Sequence, residues 1–474
     1  MASFYVQNFG CRATQADGAA IERQFQERGL TPADAPAQAE VVVINSCTVT
    51  ASADQDTRAA IRRIRRENPD CQIVVTGCYA QRAAQEVASL PGVSRVIGNS
   101  HKHQLAEIVA TSLPANAAAS IDAHAGFVSL SSLTADVQSR VFVSDIFAHT
   151  ELLAAPVFDH AGPGANHNRT RPNLKVQDGC DNRCSFCVIP YVRGQSRSLP
   201  LSQILDEVNA LIGIGYREIV ISGINLGRWG RDLPHTGNWD SCLPYSQGLH
   251  FEDLVRAILS ETSLQKLRIS SVEPMDWSDE LIDLMTNSPR IAKHAHVPLQ
   301  SGSDRVLRAM HRKYRPWHYR ERIEKLRAAM PTAAIGADVM VGFPGETEAD
   351  FEETRLLVQE LPFTYLHVFT YSSRPGTPAA ALRNQVPVQI ARERNRILRD
   401  LGAEKKLAFM RSFVGHTVEA ITLDVFDGES NEALTDNYLK LCLTGHHEPN
   451  RWVKARVQRV AGGALMASLQ SLSL

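Results

Sequence analysis

Short apolar runs alternate with helical patterns along the first hundred residues. Three of these runs, FYVQNFG, VVVINS and IVVTG, predict buried strands that end near residues 10, 46 and 77. The segment DTRAAIRRIRREN, between the second and third runs, has its apolar residues at helical spacing, and an Ala- and Gln-rich helical pattern precedes residue 30. Strands that alternate with helices favour a parallel sheet. We therefore predict a parallel α/β domain over residues 1–111.

The composition changes between residues 112 and 170. Stretches such as SLPANAAAS and FDHAGPGANHNRT are rich in Ala, Ser, His, Pro and Gly, with one candidate strand near SRVFVSD. A segment this long without clear periodicity is uncommon inside a compact domain. We interpret it as a linker or insertion with some structure of its own, at a domain boundary.

Six further strand patterns follow residue 171, with amphipathic helical patterns between them. The strands are LKVQDG, REIVISGIN, KLRISSVEP, HAHVPLQSGS, AIGADVMVGFPGE and YLHVFTYSSRPGT. Six strand-helix units predict a partial (β/α)6 barrel over residues 171–410, with its chemistry at the carboxyl ends of the strands. The remaining residues, 411–474, contain VEAITLDVF, NYLKLCLTG, RWVKARVQRV and ALMASL, which predict a small β-barrel. The predicted fold class is therefore multidomain α/β with a C-terminal all-β module.

Length and charge limit the classes of function. A chain of 474 residues suffices for several domains with their own cores, at roughly 100–200 residues each, which excludes a disordered tail protein. Because 50 Lys and Arg are balanced by 51 Asp and Glu, any surface that binds nucleic acid must be local. No apolar run approaches the roughly 18 residues of a membrane helix, and the start resembles no signal peptide. We expect a cytoplasmic protein with no membrane partner.

The strongest chemical signal is a group of three cysteines directly after the first barrel strand, Cys180, Cys184 and Cys187. Three thiolates at this spacing can hold an iron-sulfur cluster, but they leave one of its four irons without a protein ligand. A zinc site would also need a fourth ligand, and the next cysteine, Cys242, lies in a polar insertion as a free or buried thiol. The alternative is three structural thiols, although buried cysteines seldom cluster in a loop rich in Gly, Asp and Asn.

A second set of cysteines follows the N-terminal strands. Cys11, Cys47 and Cys78 each come just after a predicted strand, and the carboxyl ends of parallel strands meet at one edge of a sheet. We therefore expect these three thiolates to converge. Cys71 stands at the start of the strand that ends at Cys78, so at ~3.3 Å per residue it lies at the opposite edge, outside the site.

Two three-cysteine sites on two domains, followed by a small β module, make this chain resemble the radical S-adenosylmethionine (SAM) methylthiotransferases. The resemblance covers residues 1–111 as the methylthiotransferase domain, 171–410 as the radical SAM core and 411–474 as an RNA-binding TRAM module. It does not cover residues 112–170.

The resemblance implies SAM and two [4Fe-4S] clusters, each with three cysteine ligands and one open iron. The implied ligands are Cys11, Cys47 and Cys78 for one cluster, and Cys180, Cys184 and Cys187 for the other. SAM bound to the open iron of the second cluster would yield a 5′-deoxyadenosyl radical on reductive cleavage. No further catalytic residue is assigned. We also expect a reduced flavodoxin- or ferredoxin-type electron donor, and a monomer.

The segments NSCTVTASAD, GCYAQ and KVQDGCDNRCSFCVIPYVRGQSRS most resemble the branch of this family that acts on N6-threonylcarbamoyladenosine at position 37 of tRNA. The implied activity is conversion of that base to its 2-methylthio derivative, by radical abstraction of the C2 hydrogen, sulfur insertion and SAM-dependent methylation. Because no side-chain base can remove this unactivated hydrogen, the cofactor must carry the difficult step. Methylthiolation of N6-isopentenyladenosine or of a ribosomal-protein aspartate stays open, as does a non-catalytic iron-sulfur RNA-binding or electron-carrier protein with fully protein-ligated clusters.

Further candidate SAM contacts lie at the carboxyl ends of the barrel strands. They are Phe186, Gly223, Glu273, Gln300, Ser301 and Gly342. The resemblance implies that Phe186, the aromatic residue before the last motif cysteine, lies near the adenine; ordinary packing is the alternative. The Gly-rich turns are often tight turns without a ligand. His294 and His296 share one strand face by alternation, and we interpret them as core or barrel-lumen residues rather than ligands.

Three basic segments are candidate tRNA contacts. The helical segment DTRAAIRRIRREN carries Arg58, Arg62, Arg63, Arg65 and Arg66, and a later helix carries Arg392, Arg394, Arg396, Arg399, Lys405 and Lys406. In the last domain Lys440, Arg451, Lys454, Arg456 and Arg459 fall on or beside strands of the small barrel. Such a surface can follow phosphates, whereas a solvated face is the alternative interpretation of the two helices.

Overall fold

The computed structural model describes residues 2–111, 141–149, 152, 170–233 and 248–470. The chain folds into two compact units. Unit 1 comprises Met1–Ala155, Gly179–Asp181 and Cys187–Gln195, and unit 2 comprises Pro156–Asp178, Asn182–Phe186 and Ser196–Leu474. Cys242 lies outside the described residues. In the described ranges, no helix combines the length and the apolar character needed to span a membrane.

Unit 1 is built on a six-stranded sheet. Its strands are β1 (Ser3–Asn8), β2 (Thr31–Pro32), β3 (Val41–Ser46), β4 (Gln72–Gly77), β5 (Val93–Gly98) and β6 (Val141–Phe142). Every pairing is parallel, and the spatial order is β2-β1-β3-β4-β5-β6. From β1 the chain adds β2 on one side, and it then adds β3, β4, β5 and β6 on the other side, so the switch point lies between β1 and β3. Open α/β sheets bind ligands at such a switch point, beyond the carboxyl ends of the strands.

Helices cover both faces of this sheet. They are α1 (Arg12–Glu27), α2 (Ala51–Glu67), α3 (Cys78–Arg82), α4 (Ala84–Ala88), α5 (Leu105–Ala110) and α6 (Ile189–Arg193). Strand β3 is buried along its whole length, because Val42 and Ile44 belong to the core beneath α2 while Val41 and Val43 belong to the core beneath α1 and α5. Burial on two faces explains why its sequence is an unbroken apolar run rather than an alternating one.

The three strands predicted in the N-terminal region are confirmed as β1, β3 and β4. The candidate strand near SRVFVSD is β6, which pairs with β5 at the edge of this sheet. Strand β5 was not predicted, because the half-buried Ser94 and Arg95 interrupt its apolar run. The sheet itself supplies the partner that makes this segment a strand.

Unit 2 contains the six predicted barrel strands and one small ribbon. The strands are β7 (Asn173–Lys175), β8 (Gln177–Asp178), β9 (Arg197–Ser198), β10 (Glu218–Ser222), β11 (Lys266–Ile269), β12 (His294–His296), β13 (Ala334–Val341) and β14 (Tyr365–Thr370). Parallel sheets of order β11-β10-β7 and β12-β13-β14 are joined by single bridges between residues of the β11 and β12 segments. LKVQDG forms two strands rather than one, because its second half turns away to pair with β9.

The helices of unit 2 follow the barrel strands as expected. They are α7 (Leu201–Ile214), α8 (Phe251–Glu261), α9 (Asp279–Asn287), α10 (Asp304–Ala309), α11 (Pro316–Ala329), α12 (Glu348–Glu360) and α13 (Val388–Arg411). Helix α12 starts with a reciprocal cap: the Thr347 hydroxyl accepts from the Asp350 N–H, and the Asp350 carboxylate accepts from the Thr347 N–H.

The C-terminal residues of unit 2 form a closed β-barrel. Its strands are β15 (Thr417–Phe426), β16 (Ser430–Thr435), β17 (Lys440–Thr444), β18 (Trp452–Ala461) and β19 (Ala464–Leu469), in the order β15-β16-β17-β19-β18. Buried and exposed residues alternate along β18: Ala455 and Val457 belong to the barrel core, whereas Lys454 and Arg456 are exposed. The predicted fold class, with a parallel N-terminal sheet, a partial barrel and a small β-barrel, is confirmed.

A buried arginine connects the (β/α) barrel to the turn between β16 and β17. Arg268 is 1 % exposed, and its Nε donates to Glu218 Oε1 at 2.7 Å. Its two terminal nitrogens donate to the carbonyls of Asp436 at 3.1 Å and Thr435 at 3.3 Å. The guanidinium also lies 5.1 Å from the centre of the Tyr438 ring. These interactions pin the C-terminal barrel to strand β11.

Candidate functional site

The N-terminal cysteines meet at the switch point of the unit 1 sheet. Cys11, Cys47 and Cys78 follow β1, β3 and β4, which are neighbours in the sheet. The loop after β1 passes so close to β3 that a Cβ on Gly10 would lie 2.8 Å from Cys47 Sγ. Gly10 also has a φ of +102°, which an L side chain rarely adopts. Glycine therefore lets the chain deliver Cys11 beside Cys47.

The ionisation of Cys47 depends on its burial and on the other two cysteines. Burial raises the pKa of the Cys47 thiol to about 11, and the nearby Cys78 and Cys11 add to the rise. Such a thiol holds its proton in the absence of a cation, whereas a bound metal deprotonates it outright. The donor set thus fits a metal centre better than it fits three free thiolates.

A buried charge network lies behind this cysteine edge. Asp17 accepts from Lys102 Nζ and from Arg193 Nη2, both at 2.9 Å, and all three side chains are at most 5 % exposed. Asp17 thus joins a cation that follows β5 to one at the end of α6. Arg193 lowers the pKa of Cys47, and Cys78 raises that of Lys102, although burial of Lys102 dominates and lowers its pKa overall. The Arg193 guanidinium therefore favours the anionic form of Cys47.

Sequence reasoning excluded Cys71 from this group, and the structure agrees. Cys71 directly precedes β4, at the end opposite to Cys78. Its thiol donates to the Asn68 carbonyl at 3.2 Å. Sequence reasoning missed the Asp17, Lys102 and Arg193 network, whose members come from three distant segments and form no local pattern.

The barrel cysteines Cys180, Cys184 and Cys187 lie in the loop between β8 and α6, whose residues are shared between the two units. Within unit 1, the Cys180 N–H donates to the Gly194 carbonyl at 3.1 Å. A Cβ on Gly179 would lie 1.8 Å from the Gln195 carbonyl oxygen, so only glycine fits before the first motif cysteine.

Within unit 2, Arg312 holds the middle cysteine of the motif. Arg312 Nη1 donates to Cys184 Sγ at 3.3 Å, and Nη2 forms an ion pair with Glu273. Burial disfavours the charge of Arg312, but Tyr314, Glu273 and Cys184 outweigh it and keep the pKa of Arg312 well above its usual value. Glu273, a predicted SAM contact, is therefore tied to the cysteine loop through Arg312. Sequence reasoning missed Arg312, since nothing in HRKYRP distinguishes it from the surrounding basic residues.

Two further predicted SAM contacts lie close to the barrel strands. Phe186 packs against the buried cluster of Val306, Met310 and Phe343. Gly223 directly follows β10, and a Cβ there would lie 2.8 Å from Gln177 Oε1. The lack of a side chain at this position therefore lets Gln177 approach the end of β10. Contact of either residue with SAM stays a prediction.

The other three candidates occupy tight turns. Gln300 has a φ of +63°, a conformation that costs energy for a residue other than glycine. Ser301 is completely buried, with its hydroxyl 3.2 Å from that of Thr354. The Gly342 N–H donates to Glu346 Oε2 at 2.7 Å. Ser301 and Gly342 thus stabilise these turns through their contacts with Thr354 and Glu346. Their contact with SAM stays a prediction.

The basic candidates divide into buried, paired and exposed residues. Arg394 is 5 % exposed and forms ion pairs with Glu346 and Glu348, so the expectation that it belongs to an exposed tRNA surface is wrong. Arg396, by contrast, is exposed but paired along its own helix with Glu393 and Asp400. A buried charge such as that of Arg394 requires a partner of opposite charge, and sequence periodicity does not reveal those partners.

Two arginines of β18 form an exposed basic patch on the C-terminal barrel. Arg456 and Arg459 are exposed, and neither has an ion pair with a residue in the described ranges. Lys454, on the same strand, faces Glu419 at 3.6 Å. The bulge after Val457 changes the register of β18, which brings Arg459 to the exposed side with Arg456.

Two family models match the chain. The radical SAM superfamily matches residues 174–358, and a family described as uncharacterized protein family UPF0004 matches residues 3–98. Among solved structures, the radical S-adenosylmethionine methyltransferase TsrM from Kitasatospora setae, with cobalamin and a [4Fe-4S] cluster bound, aligns with a TM-score of 0.53 and 14% identity. The alignment covers 80% of this chain and 77% of that chain. It shows a common fold.

Relatives with curated names cover nearly the whole chain. The threonylcarbamoyladenosine tRNA methylthiotransferase MtaB of Bacillus subtilis (strain 168) is 34% identical over 94% of this chain and 91% of its own length. The MtaB of Aquifex aeolicus (strain VF5) is 34% identical over 95% and 99%. The tRNA-2-methylthio-N(6)-dimethylallyladenosine synthase of Novosphingobium aromaticivorans is 34% identical over 88% and 86%. The chain therefore belongs to the radical SAM tRNA methylthiotransferase family.

Proposed function

We propose that this chain converts N6-threonylcarbamoyladenosine in tRNA, next to the anticodon, to its 2-methylthio derivative. One observation carries the choice of substrate. Three relatives named for threonylcarbamoyladenosine align along 94%, 95% and 98% of the chain and a fourth along 88%, whereas the relatives named for dimethylallyladenosine align along 83% to 90%. The family further implies SAM and one [4Fe-4S] cluster, for which Cys180, Cys184 and Cys187 are the proposed ligands.

A second [4Fe-4S] cluster is proposed at Cys11, Cys47 and Cys78. Three cysteines at the ends of neighbouring strands, a Cys47 thiol whose pKa burial raises to about 11 and the Arg193 guanidinium, which favours its anionic form, all fit this group. When bound, the two clusters supply SAM cleavage and the transferred sulfur. Arg312 is a positioning residue that fixes the Cys184 sulfur and the Glu273 carboxylate. We further propose a reduced flavodoxin- or ferredoxin-type electron donor, because reductive cleavage requires a supply of single electrons.

The domain division that accompanies this function also stays a proposal. Residues 1–111 would carry the second cluster, 171–410 would form the radical SAM core and 411–474 would bind RNA as a TRAM domain. Residues 112–170 would form a linker or insertion, from which β6 adds to the N-terminal sheet.

Nucleoside analysis of tRNA tests the substrate directly. In cells that lack this protein, we expect the methylthio form of threonylcarbamoyladenosine to disappear, while isopentenyladenosine derivatives are unchanged. Mass spectrometry of digested tRNA measures both nucleosides, and the wild-type gene should restore the missing one. If the methylthio form of isopentenyladenosine disappeared instead, isopentenyladenosine would be the substrate.

The β18 patch is expected to contribute to tRNA affinity without sequence preference. Replacing Arg456 and Arg459 by Ala should weaken binding and reduce the slope of log K against log salt by roughly 0.7–0.9 for each phosphate that the protein no longer neutralises. Binding titrations of tRNA at several salt concentrations measure the slope. Arg396→Ala is the matched control, because this exposed arginine is already paired within α13. An unchanged slope in the double variant would place the tRNA on another surface.

A further inference from the structure

Three titratable side chains, none of them part of a cysteine motif, meet on neighbouring strands of the (β/α) barrel. They are His296 at the end of β12, Asp338 in β13 and His367 in β14. His296 pairs with Gly336, and Asp338 pairs with His367. Because residues two apart on a strand share a face, all three side chains project from the same face of this sheet.

This face lies opposite helix α13. Leu366, the neighbour of His367, points to α13, where a Cβ on Gly402 would lie 3.2 Å from the Leu366 side chain. His367 therefore projects away from the helix. Its side chain is 55% exposed, and β14 forms the edge of the sheet of order β12-β13-β14. An ion can consequently reach the three side chains from solvent.

The distances suit a shared metal ion. His296 Nε2 lies 3.2 Å from Asp338 Oδ1, and His367 Nδ1 lies 3.3 Å from the same oxygen. The three ligand atoms all lie within 4.8 Å of one another. An ion about 2.0–2.2 Å from nitrogen and oxygen ligands separates them by roughly 2.9–3.5 Å at tetrahedral or octahedral angles. Both contacts of Asp338 fall within that range.

The buried imidazole of His296 gives an independent indication of a ligand. His296 is 9 % exposed, and its Nε2 atom lies 3.2 Å from Asp338 Oδ1 in an ion pair whose angle does not suit a hydrogen bond. Nitrogen and oxygen are therefore close together without the alignment of a donor and an acceptor. Buried polar atoms of native proteins are nearly always satisfied. A cation between the two atoms would satisfy both.

The surrounding residues hold the two imidazoles in place. A Cβ on Gly336 would lie 2.0 Å from the Tyr365 ring, so glycine allows that ring to lie across β13. The Tyr365 ring centre is 6.0 Å from that of His296 and 5.3 Å from that of His367, and its hydroxyl lies 2.7 Å from His294 Nε2. The Tyr365 ring therefore limits the orientations that the two imidazoles can adopt.

We propose that His296, Asp338 and His367 bind a divalent transition-metal ion such as Zn²⁺ or Fe²⁺. Two imidazoles and one carboxylate suit these ions and leave coordination positions open for water or a carboxylate oxygen. Ca²⁺ and Mg²⁺ prefer all-oxygen sites. The sequence pattern indicated a core or lumen position for His296 but no ligand role, because it contained no sign of Asp338 or His367 beside it.

Metal analysis of the reconstituted protein tests this site. After equilibration with Zn²⁺ and desalting, we expect about one zinc per chain in addition to unchanged iron and sulfide, as a two-histidine, one-carboxylate site predicts. His367→Ala and Asp338→Asn should each lose this zinc. His318→Ala, at an exposed histidine of α11, should retain it. His367 is itself exposed, so its replacement should leave the fold intact, which circular dichroism checks.

Three results would overturn the proposal. They are wild-type protein without bound zinc, zinc that persists in both His367→Ala and Asp338→Asn, and zinc gained only as iron is lost, which would place it at the cysteines. Co²⁺ provides a second measurement. Its visible spectrum should show nitrogen and oxygen ligation without the thiolate charge-transfer band that cysteine sites produce.

Discussion

Replacing Cys184 by Ala is expected to abolish SAM cleavage while the cluster at Cys11, Cys47 and Cys78 stays in place. The two proposed sites use separate cysteines, so loss of one ligand should empty one site only. Anaerobically reconstituted protein should fall from about eight irons per chain to about four, since each [4Fe-4S] cluster holds four. Iron analysis and chromatography of 5′-deoxyadenosine measure the two effects.

Two cysteine variants serve as controls for this experiment. Cys71→Ala removes a thiol that donates to the backbone carbonyl of Asn68, at the sheet edge opposite to Cys78, and it should keep both clusters and full SAM cleavage. Cys47→Ala should lose the other four irons and the methylthio product but still form 5′-deoxyadenosine. If Cys184→Ala cleaved SAM at the wild-type rate, the assignment of Cys180, Cys184 and Cys187 would be wrong.

Local periodicity predicted most of the fold because the main strands of both α/β regions are buried on two faces. Such strands are unbroken apolar runs, as β3 and β10 are, and each ends in a turn that can be recognised in the sequence. Strands that depend on their neighbours were missed. β5 contains Ser94 and Arg95, and β16 contains a polar SNEALT segment whose partners are β15 and β17.

The cysteine edge was predictable because Cys11, Cys47 and Cys78 follow strands, and parallel strands align their ends. The groups that set its electrostatics were not. Asp17 lies in α1, Lys102 follows β5 and Arg193 ends α6, so only the folded chain brings the three together. The same reason applies to Arg312 beside Cys184. The spacing of the cysteines in the sequence indicates where their thiols lie, whereas the charged residues that interact with these thiols are brought in by long-range contacts.

Burial also decides which charged residues are available to bind RNA. Arg394 and Arg456 look alike in the sequence, since each lies in a basic segment. Arg394 is buried between carboxylates, whereas Arg456 is exposed on β18. A buried arginine contributes to stability through its partners, and an exposed one without a partner can neutralise a phosphate. The contrast separates the two roles.

Replacing Arg268 by Met is expected to destabilise unit 2 by about 3–5 kcal/mol, because Glu218 would become a buried charge without its main partner. Glu218 is completely buried, and the variant also lacks the hydrogen bonds from Arg268 to the carbonyls of Thr435 and Asp436. Thermal and urea unfolding measure the change. Arg256→Met is the control; its partners Asp253 and Glu280 lie at the surface, and such pairs contribute about 0–1 kcal/mol.

The pH dependence of this destabilisation identifies its cause. Burial alone would raise the pKa of Glu218, but Arg268 and Arg171 outweigh burial and lower it. A carboxyl group with a lowered pKa in the folded state stabilises the protein above its unfolded pKa of about 4.3, and this contribution is lost as the pH falls towards the folded value. The stability difference between wild type and Arg268→Met should therefore shrink below about pH 4. A difference that stays constant down to pH 3 would assign the effect to the missing packing and carbonyl hydrogen bonds instead.

Adding Glu218→Gln to Arg268→Met should recover part of the stability at neutral pH, since no uncompensated charge then stays buried.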